Sequence, residues 1–217
     1  MELNKYIDHT NLKMDATSKD IQKLCEEAIK YKFESVCVHP CYISLAKELL
    51  KDTNINVCTV IGFPLGMNTP KTKAFEAVEA IELGADELDM VINVGALKDK
   101  DYNYVKTEIE DIRDQAEGKP VKVIIETSLL TEKEIIKMTE ICNETFVNYI
   151  KTSTGFGSRG ASIEDLNIIK KHKNDILEIK ASGGIKNYDQ MIKLIEAGAT
   201  RIGTSNAVKI MEESEKK

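Results

Sequence analysis

The sequence predicts an α/β fold of one kind, a single (β/α)8 TIM barrel with eight parallel strands inside a ring of helices. Eight short apolar segments alternate with segments of helical spacing along the 217 residues. Gly84, Gly118 and Gly198 follow helical segments, as is typical of helix ends. Polar side chains recur on one side of the strand segments. This length does not require two domains, so residues 1–217 are expected to form one barrel domain.

The eight predicted strands carry their polar residues at alternate positions. They are Tyr6–Thr10, Ser35–His39, Asn56–Gly62, Glu87–Asn93, Val121–Thr127, Val147–Ser153, Leu177–Ser182 and Arg201–Thr204. In the fourth strand the odd positions hold Glu87, Asp89 and Asn93, whereas the even positions are apolar. Because alternate side chains of a strand face opposite sides, this pattern predicts a polar barrel interior and an apolar surface under the helices.

The segments between the strands have the spacing of amphipathic helices. Three apolar stripes with steps of three or four residues are Ile21–Leu24–Cys25–Ala28–Ile29, Ala74–Ala77–Val78–Ile81 and Val105–Ile109–Ile112–Ala116. Thr17 or Ser18, Thr131 and Ser162 are predicted to cap helix N-termini, since their hydroxyls can accept from free backbone N–H groups. The main alternative fold is an open doubly wound sheet. Its Gly-x-Gly-x-x-Gly fingerprint after the first strand is missing.

Composition argues against several classes of protein. The formal net charge is −6 without a basic block, so a nucleic-acid partner is not expected. Neither a signal segment nor a membrane span is expected, because no apolar run approaches about 18 residues. The five cysteines form no Cys-x-x-Cys pair, which favours a reducing, cytoplasmic setting.

The segment Cys37-Val38-His39-Pro40-Cys41 could be read as a metal cluster. Cys37 and His39 would share one side of a strand, but Pro40 ends that strand and Cys41 falls beyond it. A second cluster that would complete four ligands is missing. We therefore expect no metal and interpret these thiols as core and pocket lining.

Two lysines at strand ends are the strongest functional signal. Lys151 ends an apolar strand and is followed by Thr152-Ser153-Thr154-Gly155, and Lys180 is followed by Ala181-Ser182-Gly183-Gly184. A buried ammonium loses hydration, so a lysine at such a position either extends to water or takes part in chemistry. If their strands are neighbours, the two side chains lie about 5 Å apart.

Two ammonium groups at that separation repel by roughly 3 kcal/mol at an effective dielectric constant of 20. Such repulsion can leave one lysine neutral and nucleophilic near pH 7, able to form a Schiff base with a carbonyl group. Asp89 is the best candidate for moving protons beside them. The structural alternative is a static ion pair between Lys180 and an aspartate, with Lys151 extending to solvent.

Glycine turns follow the last three strands and predict a phosphate site. They contain Gly155 and Gly157, Gly183 and Gly184, and Gly203 with Ser205. Backbone N–H groups at such turns bind anions, and barrels commonly hold phosphate after strands seven and eight.

The residues resemble those of the deoxyribose-phosphate aldolase family over nearly the whole chain. The matching motifs are Asp8-His9-Thr10-Asn11-Leu12, Val36-Cys37-Val38, Ile61-Gly62-Phe63-Pro64-Leu65-Gly66, Glu87–Asn93, Ile124–Thr127, Ile150–Phe156, Ile179–Ile185 and Arg201–Ser205. The resemblance implies a class I aldolase that reversibly cleaves 2-deoxy-D-ribose 5-phosphate to acetaldehyde and D-glyceraldehyde 3-phosphate. It implies no metal or organic cofactor, and a role in deoxynucleoside breakdown.

The resemblance also implies roles for individual residues. Lys151 would form the Schiff base, while Asp89 and Lys180 would relay protons. Asp8 and Thr10 would lie at the mouth of strand one near Lys180 and the sugar hydroxyls, and Cys37 would line the pocket. The remaining substrate contacts would be Thr154, Gly155, Gly183, Gly184, Gly203, Ser205 and Asn206. The partners would be small phosphosugar and aldehyde substrates, and the protein a homo-oligomer, most simply a dimer.

Two features depart from the family pattern. Some members end in a tail with a terminal tyrosine that assists proton transfer, whereas this sequence ends at Lys217 without a nearby aromatic residue. Asn206 stands where many members have a second serine.

Two other functions remain open at this point. A phosphosugar isomerase or epimerase would use Asp89 as a base without a covalent intermediate, and trapping of an imine would separate it from an aldolase. A non-catalytic phosphosugar-binding protein would lack turnover, which an acetaldehyde-release assay would detect.

Overall fold

Eight parallel strands pair in chain order and the last pairs with the first, which closes the sheet into a barrel. This computed structural model describes residues 2–216. The strands are β1 (Ile7–Asn11), β2 (Ser35–Val38), β3 (Asn56–Ile61), β4 (Glu87–Val91), β5 (Val121–Ile124), β6 (Tyr149–Lys151), β7 (Glu178–Ser182) and β8 (Arg201–Thr204). The predicted fold class, a (β/α)8 TIM barrel, is confirmed.

Helices connect the strands and cover the outside of the barrel. They are α1 (Ser18–Tyr31), α2 (Ile43–Leu50), α3 (Pro70–Glu82), α4 (Val94–Lys98), α5 (Tyr102–Gln115), α6 (Glu132–Glu144), α7 (Ile163–His172), α8 (Tyr188–Glu196) and α9 (Ala207–Ser214). Thr17, Thr131 and Ser162 cap α1, α6 and α7 with their hydroxyls, which confirms the predicted starts. Each helix in the described part of the chain is too short or too polar to cross a lipid bilayer.

Several predicted strands end earlier than the apolar pattern suggested. β4 stops at Val91 because Asn93 caps α4 by accepting from Ala96 N–H at 3.0 Å. β5 stops at Ile124, since Glu126 turns into a left-handed conformation two residues later. Polar residues that follow these strands therefore belong to the loops above the sheet rather than to the strands.

The buried face of α3 differs from the predicted apolar stripe. Lys73, Ala77 and Ala80 are buried. Of the predicted stripe Ala77 is thus buried, whereas Ala74, Val78 and Ile81 are only partly buried. Lys73 turns inward because Glu108 of α5 lies opposite, with 2.7 Å between Lys73 Nζ and Glu108 Oε2 and neither side chain exposed. The ion pair thus adds a charged residue to the buried face of this helix.

The apolar core lies mainly between the barrel wall and the helices. Outward side chains such as Leu88, Met90 and Ile150 are fully buried there. Inside the barrel Lys151 of β6 and Lys180 of β7 are direct register partners, as expected if β6 and β7 are neighbours. The register therefore places both lysines at one level of the interior.

Candidate active site

Three lysines converge on one carboxylate inside the barrel. Lys151 Nζ and Lys180 Nζ donate to the same oxygen, Asp89 Oδ2, at 2.7 and 2.6 Å. Lys122 Nζ donates to the other oxygen, Asp89 Oδ1, at 2.9 Å. These residues come from β6, β7, β5 and β4, so the parallel register brings together side chains that are far apart in sequence. The predicted grouping of Lys151, Lys180 and Asp89 is present.

Two further carboxylates and an arginine extend this group toward the bottom of the barrel. Asp8 lies 2.5 Å from Lys180 Nζ and 2.7 Å from Arg201 Nη1. Glu87 lies 2.5 Å from Lys122 Nζ and 3.2 Å from Arg201 Nη1. We call this connected set the barrel network. Its members are Asp8, Glu87, Asp89, Lys122, Lys151, Lys180 and Arg201.

Mutual attraction within the barrel network outweighs the cost of burial. Burial alone would raise the pKa of Asp89, but the lysine charges beside it, with Lys122 first, hold that pKa well below its usual range. Burial would lower the pKa of Lys180, yet Asp8 and Asp89 raise it above the ordinary lysine value. The pKa of Asp8 is lowered in turn, because Lys180 and Arg201 together exceed the effect of burial. Asp8, Asp89 and Lys180 are therefore charged at neutral pH.

The barrel network contains more basic groups than acidic ones. Three buried carboxylates face four buried basic side chains. Glu34 also lies 4.0 Å from Arg201, but its side chain is 29% exposed and water screens it. A positive charge without a counterion is costly in a buried site, so the network favours loss of one proton from one of its amines.

A cavity of about 700 Å³ opens above the barrel network at the carboxyl ends of the strands. Among the three lysines of the network, Lys151 is the one that lines it. Lys151 retains 3% of its surface, whereas Lys122 and Lys180 have none. The geometry therefore offers one amine to a bound molecule and keeps the others beneath it.

Most of the predicted substrate contacts lie around this cavity. Its wall includes Thr10, Thr154, Gly155, Gly183, Gly184, Gly203, Ser205 and Asn206. The glycine turns after β6, β7 and β8 thus meet at one rim, as expected. Asn206 also donates to Ile185 O at 3.2 Å, which ties the start of α9 to the turn after β7.

Asp8 lies beside Lys180, as the resemblance implied, but neither Asp8 nor Cys37 is part of the cavity wall. Both are fully buried. Asp8 pairs with Lys180 and Arg201 and occupies the second position of β1, whereas Thr10 and Asn11 lie nearer the carboxyl end of that strand and line the cavity. Cys37 packs in a small interior cluster with Leu12, Cys58 and Val60.

The thiols of the interior form a different group from the one considered in the sequence. Within residues 2–216, Cys37 is placed with Cys58 and Asp89 rather than with His39 and Cys41. Cys58 Sγ lies 3.1 Å from Asp89 Oδ1. Cys41 is exposed in the turn after β2. The carboxylate that would complete a ligand set is already bonded to three lysines.

Two consecutive glycines shape the turn that follows β7. Gly183 and Gly184 have φ values of 81° and 73°, a left-handed conformation that side chains with a Cβ rarely adopt. A Cβ on Gly183 would also lie 2.9 Å from Gly160 Cα, so two loops pack there without side chains. The turn therefore presents backbone to the cavity.

Sequence reasoning missed Lys122, Glu87 and Arg201 as members of the site. Lys122 interrupts the apolar strand Val121-Lys122-Val123-Ile124, the same signal that identified Lys151 and Lys180. Arg201 is the first residue of β8, a position where a charged residue is common, so the sequence did not indicate that its side chain points into the barrel. Glu126, whose carboxylate bonds to Thr154, was also missed.

The chain is similar to known aldolases throughout its length. Residues 3–208 match the family described as DeoC/LacD family aldolase. A deoxyribose-phosphate aldolase from Finegoldia magna is 56% identical over 98% of this chain and all of its own length. One from Clostridium tetani is 53% identical over 99% of this chain and all of its own. The tetrameric deoxyribose phosphate aldolase from Aeropyrum pernix superposes with a TM-score of 0.92 and 32% identity, covering 98% of this chain and 91% of its own.

Proposed function

The chain belongs to the DeoC/LacD family and is an aldolase, and on that premise we propose that it cleaves 2-deoxy-D-ribose 5-phosphate through a Schiff base on Lys151. The products are acetaldehyde and D-glyceraldehyde 3-phosphate, and the reaction is reversible. The observation that carries this proposal is the position of Lys151. It is joined to Lys180 through one carboxylate oxygen and is the lysine of the barrel network that lines the cavity.

The excess of basic groups supports Lys151 as the nucleophile. Asp8 and Asp89 hold Lys180 in its charged form, and Asp89 with neighbouring acidic groups raises the pKa of Lys122 against the effect of burial. Arg201 stays protonated in proteins. We therefore assign the nucleophile to Lys151, which has fewer acidic partners and access to the cavity.

The reaction then follows from a neutral amine. Lys151 Nζ attacks the aldehyde carbon C1, and loss of water from the resulting carbinolamine gives a protonated imine. A base removes the proton of the C3 hydroxyl, the C2–C3 bond breaks, and its electron pair moves toward the imine to form an enamine. D-Glyceraldehyde 3-phosphate leaves. Protonation of C2 and hydrolysis by water release acetaldehyde and restore the lysine.

Asp89 and Lys180 are suited to the proton transfers of this sequence. Asp89 is a carboxylate that can accept a proton, and Lys180 is an ammonium that can donate one. The distance between Lys180 Nζ and Asp89 Oδ2 is 2.6 Å. Burial of both groups keeps bulk water away from the transfer. We assign Asp8 the role of holding Lys180 from below rather than of binding sugar hydroxyls.

The glycine turns are suited to the phosphate end of the substrate. Gly183 and Gly184 expose backbone beside the cavity, and α9 begins next to Ser205 and Asn206 on the same rim. Backbone N–H groups at a helix start attract phosphate oxygens. The substrate would then extend from Lys151 at the floor to these turns at the rim.

The setting of the enzyme is part of the same proposal. All five cysteines are free thiols, which fits a reducing cytoplasm and a role in deoxynucleoside breakdown. A homo-oligomer, most simply a dimer, is expected, and the relative from Aeropyrum pernix is tetrameric.

Borohydride inactivation and turnover together test the proposed function. The enzyme should release acetaldehyde from 2-deoxy-D-ribose 5-phosphate, and borohydride should inactivate it irreversibly when acetaldehyde is present but not alone. Lys151→Ala should abolish both effects. Lys13→Met, a matched change at an exposed lysine on the same cavity, should leave borohydride inactivation intact. Release of acetaldehyde without aldehyde-dependent inactivation would support a non-covalent lyase, and loss of substrate without acetaldehyde release would support an isomerase or epimerase.

A further inference from the structure

Glu126 occupies an unusual position immediately above β5. Its backbone is left-handed, with φ 50° and ψ 68°, which is uncommon for a residue with a Cβ. The residue is only 5% exposed. Backbone strain of this kind persists where the surroundings fix it, often beside a functional site. Glu126 plays no part in the proposed lysine chemistry, so its contacts need another explanation.

The carboxylate of Glu126 accepts hydrogen bonds from one wall of the cavity. Glu126 Oε2 accepts from both the N–H and the hydroxyl of Thr154, at 3.0 and 2.5 Å. Glu126 Oε1 accepts from Ser128 Oγ at 2.8 Å. A Cβ on Gly157 would lie 2.7 Å from Oε1, so the loop approaches closely because that residue is glycine. The loop after β6 is thus fixed against an acceptor.

These bonds determine what Thr154 can offer to a substrate. A threonine hydroxyl has one proton, and here that proton is given to Glu126. The same hydroxyl oxygen accepts from Phe156 N at 3.0 Å. One lone pair is left, and Thr154 lines the cavity three residues after Lys151. The wall therefore presents a hydrogen-bond acceptor, which a substrate hydroxyl can satisfy and a phosphate or carbonyl oxygen cannot.

We propose that Glu126 is a specificity-determining positioning residue, which orients the Thr154 hydroxyl as an acceptor for the substrate hydroxyl next to the phosphate-bearing carbon. This inference rests on the proposed function. The hydroxyl at C3 must lose its proton during cleavage and so faces the catalytic groups. The hydroxyl at C4 is then the one that can donate to Thr154, on the cavity wall between Lys151 and the glycine turns.

The synthetic direction of the reaction allows this hydroxyl to be removed from the substrate. Acetaldehyde is added either to D-glyceraldehyde 3-phosphate or to 3-phosphooxypropanal, which lacks the hydroxyl next to the phosphate-bearing carbon. The readout is the ratio of kcat/KM for the two acceptors. The wild-type enzyme should prefer the hydroxylated acceptor by about tenfold or more, because the analogue leaves a buried acceptor unpaired.

Variants at position 126 distinguish the hydrogen-bond acceptor of Glu126 from the negative charge of its carboxylate. Glu126→Ala frees the Thr154 proton to rotate toward the cavity, so the preference should fall to about threefold or less. Glu126→Gln can keep an amide oxygen at the same place and should retain most of the preference. If Glu126→Ala does not fold, Glu126→Asp keeps the charge but withdraws the carboxylate, and it should also lower the ratio. Far-ultraviolet circular dichroism checks the fold of each variant.

Thr154→Val should remove the preference, and adding Glu126→Ala to Thr154→Val should change the ratio no further. An unchanged ratio in a folded Glu126→Ala or Glu126→Asp protein would overturn the inference while the proposed function stands. Loss of the preference in Thr154→Val but not in the Glu126 variants would also overturn it. Failure of borohydride inactivation in the wild-type enzyme would overturn the proposed function together with the inference.

Discussion

Two groups of buried charges in this molecule have the same ingredients and different arrangements. The barrel network joins seven charged side chains beneath a cavity. Between α3 and α5, Lys73 and Glu108 form a fully buried pair with 2.7 Å between their charged atoms. Lys73 also donates to Val91 O at 2.8 Å, and Glu108 accepts from Asn93 N–H at 2.7 Å. One lysine is matched by one carboxylate there, and backbone groups complete the bonding.

The comparison teaches that burial alone does not identify a functional lysine. Lys73 is as buried as Lys180, yet it sits in a balanced pair that does not line the cavity. Lys151 differs by belonging to a group with an excess of basic residues and by lining the cavity. Charge imbalance together with access to a cavity is what distinguishes it.

The largest expected effect contrasts the lysines of the two groups. Lys151→Met should lower kcat by about 10⁴-fold or more, because the nucleophile is lost, while the free energy of unfolding stays the same or rises. Lys73→Met should lower the free energy of unfolding by about 3–5 kcal/mol, because Glu108 is left buried without a partner. Its kcat should change only a few-fold. Steady-state kinetics give kcat and urea unfolding gives the free energy of unfolding of both variants.

The comparison would be broken if folded Lys73→Met protein lost activity as completely as Lys151→Met. Catalysis would then depend on the ion pair between α3 and α5 as directly as it depends on the barrel network.

A second prediction concerns the balance of charge inside the barrel network. Lys180→Met leaves three carboxylates and three basic groups, which removes the excess of positive charge around the nucleophilic amine. We expect the acid limb of the kcat/KM profile to move to higher pH and the maximal kcat to fall about 10²–10³-fold, since the proton donor is also lost.

Lys122→Met is the matched control for this change. It removes a charge from the other oxygen of Asp89 but leaves the bond between Lys180 and Asp89. The acid limb should move in the same direction with a smaller loss of maximal kcat. An unmoved acid limb in both variants would contradict the charge-balance argument.

Acidification should affect the two groups in opposite directions. The pKa of Asp8 is lowered by Lys180 and Arg201 despite burial, so its stabilising effect is complete above the ordinary aspartate pKa and is lost as the pH falls below about 4. Burial raises the pKa of Glu108 more than Lys73 lowers it. Its folded form therefore binds a proton more readily than the unfolded chain, and stability increases as the pH falls toward the ordinary glutamate pKa.

Variants can separate these two contributions to acid stability. Asp8→Asn should be less stable at pH 7 but lose less stability between pH 5 and 3, by about 1 kcal/mol, than the wild-type protein. Glu108→Gln should lose stability more steeply than wild type as the pH falls, because the compensating proton uptake is gone. Chemical unfolding at a series of pH values provides the measurement. Parallel curves for all three proteins would show that neither carboxyl group contributes as described.

Much of this comparison could be predicted from the sequence, and its limits have physical causes. Alternation along a strand identified Lys151, Lys180 and Asp89 as inward residues. The register places the two lysines at one level, and both donate to Asp89. Alternation gives the side of the sheet but not the depth along the barrel. Asp8 and Cys37, which were expected to contact substrate, are inward residues that are fully buried and not part of the cavity wall.

The other group could not be predicted in this way. Lys73 and Glu108 lie on two helices 35 positions apart, and a charged residue on a helix normally faces solvent. The apolar stripe of α3 indicated Ala77 correctly but gave no sign that Lys73 is buried beside it. Lys122 carried a usable signal because it interrupts an apolar strand as Lys151 does.

The smallest expected effect uses the glycines that touch one lysine of each group. A Cβ on Gly203 would lie 3.2 Å from Lys180 Cε, and a Cβ on Gly62 would lie 2.9 Å from Lys73 Cε. Gly203→Ala should lower kcat up to about tenfold by displacing Lys180, with a stability loss of about 1 kcal/mol. Gly62→Ala should cost about 1–3 kcal/mol of stability, because its φ is also positive at 64°, and should leave kcat nearly unchanged. Equal decreases of kcat in Gly203→Ala and Gly62→Ala would contradict the difference described between the two groups of buried charges.

The most direct test of the central claim is to map where acetaldehyde bonds to the folded protein. Peptide mass spectrometry after treatment with acetaldehyde and borohydride reports an ethyl group on each modified lysine, and a short exposure at neutral pH compares Lys151 with Lys73, Lys122 and Lys180. We predict that the ethyl group appears at Lys151 in proportion to the loss of activity and that the other three buried lysines stay unmodified. Full inactivation with an unmodified Lys151, or equal labelling of Lys151 and Lys73, would contradict the account.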